Sequence, residues 1–215
     1  MSEPLARVFA AEAAAEQELA AIPDWLWDGR SPPVPVETIA DSHYGLLVRE
    51  SDDLGELAGL PANGRISGLL FPHQRQIWVD TEEAERAPVR RRFTIGHELG
   101  HWVLHCHGKL PQLADEEVIH CRSEVVREQA AAEPQEQPAS ARPRWSPLGL
   151  SYYPPPELDA NQFGAALLMP RRLLETEHAW ADEETWRVAR TFGVSEMALQ
   201  KRLWFMRKFP PPPSS

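Results

Sequence analysis

Arg92-Phe93-Thr94-Ile95-Gly96-His97-Glu98-Leu99-Gly100-His101 carries two histidines four residues apart with a glutamate directly after the first. On a helix, residues four apart lie one turn above each other, so both imidazoles can reach one metal ion while Glu98 points into the same cavity. Those residue types at that spacing are the minimal kit of a zinc hydrolase. Pro88 fits the first turn of the helix that bears them, which runs to about His105, and Gly108, Lys109 and Pro111 end it.

A catalytic zinc takes three protein ligands and keeps a fourth position open, so His97 and His101 need a third. His107 reproduces the metzincin spacing HExxHxxGxxH, but the glycine that breaks the helix in that motif is Leu104 here. Continuing the helix through Leu104 carries His105, not His107, on the face of His97 and His101. The other candidate is Glu157, 56 residues after His101 and at the start of its own predicted helix. Glutamate in a Glu-x-x-Ala-Asp/Asn pattern is the gluzincin arrangement, and Asn161, four residues on, shares a helical face with Glu157 and can fix a histidine tautomer. Asp159 faces elsewhere.

Around these motifs the chain reads as an α+β protein, mostly helical, with a small three-stranded sheet, antiparallel or mixed, beside the HExxH helix. Residues 4–21 form an amphipathic helix, and a Pro- and Trp-rich connection completes a segment 1–34. Short strands follow at Gly45 to Val48, Arg65 to Phe71 and Gln76 to Asp80, with a brief helix from Val36 to Ala40 before them. The main domain spans 35–206. It includes a compositionally biased insertion at 128–156, rich in Ala, Glu, Gln and Pro, and a C-terminal helical pair at 183–206; 207–215 is a Pro-rich tail.

The 215-residue chain has a formal charge of −10, which disfavours a protein whose main partner is a nucleic-acid backbone. Arg90-Arg91-Arg92 and the basic residues from Lys201 to Lys208 are the local exceptions, open to an acidic partner or phosphate. The helix, Gly193 turn and helix near the C-terminus have the outline of a helix-turn-helix, so DNA contact by this pair is an alternative that Glu196 and the acidic total count against. Two cysteines, Cys106 and Cys121, make no disulfide framework. No secretory signal and no apolar run of about 20 residues is visible, so a soluble cytoplasmic protein is expected.

Residues 92–101 and Glu157-Leu158-Asp159-Ala160-Asn161-Gln162-Phe163-Gly164-Ala165-Ala166-Leu167-Leu168-Met169-Pro170 together resemble the ImmA/IrrE family of zinc metallopeptidases. The resemblance covers about Pro35 to Met206. Gly164 replaces the alanine usual in the family's Phe-Ala-Ala run, and the 128–156 segment lengthens the spacing between motifs. It implies a zinc metallo-endopeptidase with His97, His101 and Glu157 on Zn2+, Asn161 behind them, and Glu98 as general base. The implied substrate is an XRE-type helix-turn-helix repressor, cut to release stress-response or mobile-element genes. The competing expectation is a zinc-binding regulatory or antitoxin-like protein without general proteolytic activity. For oxyanion stabilisation His105, His120, Tyr152 and Tyr153 are candidates, and Gln76 to Asp80 or Ile66 to Phe71 could offer a sheet edge to a substrate strand.

Overall fold

The computed structural model describes residues 3–59, 66–113, 119–121, 154–176 and 185–210. In chain order they form α1 (Glu3–Ala21), α2 (Val36–Thr38), β1 (Leu47–Ser51), α3 (Leu54–Leu57), β2 (Gly68–Phe71), β3 (Gln76–Asp80), α4 (Thr81–Arg86), α5 (Pro88–His101), β4 (Ile119–Cys121), α6 (Pro155–Leu168), α7 (Arg171–Thr176), α8 (Thr185–Phe192) and α9 (Glu196–Lys208). Residues 128–153 of the expected insertion, 183–184 of the helical pair and 211–215 of the tail lie outside the described residues; 154–156 open α6.

Local chemistry sets the helix starts. Asp80 caps α4 by accepting from the Glu83 amide at 2.8 Å, and Ser195 caps α9 through the Ala198 amide at 3.2 Å. Prolines occupy the first turns of α5 and α6, where a missing N–H costs nothing. The α-helix of the motif ends at His101 and passes into a π-helical turn, Trp102–Cys106, so the straight continuation to His105 is replaced by a wider turn. The expected helix from Val36 to Ala40 is likewise three α-helical residues followed by a π-helical turn, Ile39–His43.

The sheet confirms the α+β class and adds a strand: its order is β1-β3-β2-β4. β1 runs parallel to β3, whereas β2 is antiparallel to both β3 and β4, so the sheet is mixed. The two strands proposed as substrate edges, β2 and β3, are therefore interior; among the described residues the edges are β1 and β4. The hairpin of β2 and β3 leaves one side of β3 open, and β1 fills it in parallel, which alternation of residue types alone does not reveal. β2 is covered on both faces: Leu70 joins the main core with Ile77 and Val79, while Leu69 packs with Leu54 and Ile66.

The main core runs from the sheet through α5 and α6 to α1 and the α8–α9 pair. Ala11, Ala15 and Leu19 present one face of α1 to it; Phe192, Val194, Leu199 and Leu203 do the same from the C-terminal pair. The arginine run is consumed internally. Arg90 pairs with Glu83, Arg91 with Glu37 and Glu50, and Arg92 donates to the carbonyls of Gly193 and Val34 at 3.1 and 2.8 Å. It is a set of ties between elements and not a free phosphate patch.

Buried charge closes α1 onto the C-terminal helices. Glu12 accepts from Arg202 at 2.8 Å and from Arg171 at 3.2 Å, and all three are at least nine-tenths buried. Arg202 also donates to the Met169 carbonyl at 3.3 Å. Removing the shared carboxylate leaves two uncompensated guanidinium groups inside the protein. Glu12→Ala is expected to cost about 3–5 kcal/mol in urea unfolding, and the apolar combination Glu12→Leu, Arg171→Met, Arg202→Met to recover most of that loss.

Candidate metal centre and peptidase site

α5 lies between the sheet and α6, and every residue from Thr94 to His101 is buried. Small residues let α5 and α6 touch backbone to backbone. A Cβ placed on Gly164 would lie 3.0 Å from the His97 amide nitrogen, and one on Gly100 would lie 3.0 Å from the Cα and the carbonyl oxygen of Ala160. This approach brings the first turn of α6 to the last turns of α5.

His97, His101 and Glu157 meet there. The Nε2 atoms of the two histidines are 3.0 Å apart; Glu157 Oε2 is 3.3 Å from His97 Nε2, and Glu157 Oε1 is 3.2 Å from His101 Nε2. Asn161 Oδ1 lies 3.1 Å from His97 Nδ1, so an Nδ1–H donor there leaves the Nε2 lone pair facing the cluster. Glu98, fully buried, is placed on the sheet side of α5 against β2.

The donor set fits a zinc ion. Tetrahedral zinc with bonds of about 2.0–2.1 Å separates its ligand atoms by about 3.3 Å, and two imidazole nitrogens with a carboxylate are ordinary zinc donors. Burial works to raise the Glu157 carboxyl, but the imidazoles of His101 and His97, when they carry the extra proton, outweigh it and hold it at about 2, so the carboxylate is ionised and suited to a cation. Burial lowers His101 from its ordinary value, against the opposing pull of Glu157.

Other sequence candidates have different surroundings. His107, just past the π-helical turn, packs its ring 5.8 Å from Trp102 and 6.2 Å from Tyr44 and is not part of the cluster. Asp159 pairs with Arg7 of α1. His105 stacks obliquely 5.6 Å from the His101 ring, and burial lowers its pKa although a hydrogen bond with the Pro156 backbone opposes this. Cys106 is buried. His120 falls within β4; Tyr152 and Tyr153 lie outside the described residues. Gly68, facing Glu98 from β2, escaped the sequence reading; its only signal was a glycine inside a strand, which marks close backbone approach.

Two imidazoles and a carboxylate on crossing helices, with a glutamate following the first imidazole, have the arrangement of a metallopeptidase. The comparison with known families points the same way: residues 149–204 match the model of the IrrE N-terminal-like domain, a peptidase family, and support the ImmA/IrrE resemblance over that stretch. The matched stretch contains Glu157 and Asn161, whereas His97, Glu98 and His101 lie before it. No curated protein matches the chain. No helix among the described residues is long and apolar enough to cross a membrane.

The lowered histidines fix a pH dependence for the metal-free protein. His101 and His105 are neutral when folded at pH values where the unfolded chain, near 6.5, already binds protons. Their contribution is therefore present above that value and is lost as pH falls through their lower folded values. Thermal melting of chelated protein is expected to drop between about pH 7.5 and 5.5, with a smaller drop for His105→Gln; equal slopes would refute the His105 share.

Proposed function

We propose that this chain is a zinc-dependent metallo-endopeptidase whose metal is held by His97, His101 and Glu157. The observation that carries the reading is the triangle of 3.0, 3.2 and 3.3 Å between their ligand atoms. Bound zinc supplies Lewis acidity, polarising the scissile carbonyl and acidifying the attacking water. Glu98 accepts the proton released by that water and delivers it to the departing amide nitrogen, so the amine leaves neutral. Asn161 holds His97 in the tautomer that keeps Nε2 available, and Glu157 contributes charge as well as a ligand atom.

The peptidase match implies a protein substrate. The resemblance to ImmA/IrrE proteins narrows the proposal to a regulatory protein of the cytoplasm, such as a helix-turn-helix repressor of the XRE type. Incubating the chain with the product of a neighbouring repressor gene, with and without chelator, tests this; chelator-sensitive cleavage at one bond is the expected result. A bound but intact repressor would favour the zinc-dependent interaction protein instead.

Metal analysis tests the ligand set independently of substrate. Glu157→Ala is expected to lose zinc and His107→Ala to keep it; the reverse would overturn the assignment. Asn161→Leu should weaken zinc binding by roughly 10–100-fold while leaving the fold intact. Glu98→Gln is expected to retain the metal and lose hydrolysis, and full turnover by that variant would remove Glu98 from the chemistry.

A further inference from the structure

Gly68 occupies the strand position nearest Glu98. On β2 it faces the same way as Leu70, toward α5, and it is paired on both sides, with Val79 of β3 and Cys121 of β4. A Cβ at Gly68 would fall 2.5 Å from Thr94 Cγ2, 2.7 Å from Glu98 Oε1 and 3.3 Å from Glu98 Cγ. The space a side chain would need is thus filled by Glu98 itself and by the residue one helical turn before it.

We infer that Gly68 is a positioning residue: by lacking a side chain, it forms the floor that sets where the Glu98 carboxylate lies. The inference rests on the reading of Glu98 as general base. β2 cannot retreat from an added methyl group without breaking pairs to two neighbouring strands. Thr94 is buried, and its β-branched side chain has few alternatives in χ1. Glu98 has three rotatable bonds, so its carboxylate is the group that yields. The three atoms nearest such a Cβ belong to Thr94 and Glu98, whereas His97, His101 and Glu157 meet on the α6 side of α5. A side chain at 68 therefore displaces the base while sparing the ligand set, and general-base catalysis depends on placement within hydrogen-bond reach of the reacting water.

The cobalt-substituted full-length protein provides a test that needs no substrate. Its visible absorption is followed against pH for the parent, Glu98→Gln, Gly68→Ala and the double variant Gly68→Ala/Thr94→Ala, with cobalt affinity and melting temperature measured on each. Glu98→Gln is expected to displace the spectral pH profile by about one unit or more, since removing a nearby carboxylate changes the ionisation of the metal's water. Gly68→Ala should displace it similarly, with cobalt affinity kept within about twofold because the ligands are not moved. The double variant removes the methyl group that a Cβ would strike first, so it recovers any lost stability and keeps the displaced profile. An unchanged profile in Glu98→Gln would defeat the general-base reading. A displaced profile in Glu98→Gln with a parental one in Gly68→Ala, or a parental profile restored in the double variant, would overturn the role of Gly68 alone.

Discussion

The contact between α5 and α6 is the constraint on which the rest of the structure depends. Interhelical distances are usually 8–10 Å, set by the side chains between the axes. Here Gly96, Gly100, Ala160 and Gly164 remove most of that spacer, and backbone atoms of one helix touch those of the other. A glutamate on the first turn of α6 consequently reaches imidazoles on the last turns of α5, although 56 residues separate Glu157 from His101. Glycine weakens an isolated helix by about 1 kcal/mol, so packing must hold both helices in shape. The sheet on one side of α5 and α1 on the far side of α6 supply it.

Besides Glu98, buried charge among the described residues gathers chiefly at two places. At one, the carboxylate of Glu157 faces two imidazoles, and burial lowers that of His101. At the other, Glu12 answers two arginines from α7 and α9. The first group is suited to receive a cation; the second supplies its own. Arg7 and Asp159 join α1 to α6 close to the first group, tying the helix that carries Glu157 to the main body.

The sequence made the site partly legible because helical periodicity is a local property. His97 and His101 lie four apart on one helix, with Glu98 directly after the first, and Glu157 and Asn161 lie four apart on another, so these roles follow from local spacing. Leu104 in place of a glycine also disfavoured His107, whose ring packs between Trp102 and Tyr44. Long-range relations were hidden. The parallel pairing of β1 with β3 and the interior placement of β2 depend on how the chain returns, which residue alternation does not encode. Arg90, Arg91 and Arg92 looked like a basic patch because their partners, Glu83, Glu37, Glu50 and two backbone carbonyls, come from four other parts of the chain. Gly68 was silent for a related reason: what matters there is the atom that is missing.

The carboxylate of Glu12 and the guanidinium of Arg202 are 190 positions apart in sequence. Contacts of such separation form late, since the loop between them must close before they contribute. During synthesis α1 leaves the ribosome before α6, α7 and α9, and the partners of its apolar face and of Glu12 arrive in that order. α6 packs chiefly on α5 and α1, which precede it in the chain, so only the Arg202 side of the buried charge waits for the last helix. Glu12 thus meets one arginine, Arg171, before its second, Arg202, has been made, and the last helix to be translated completes a charge cluster begun by the first.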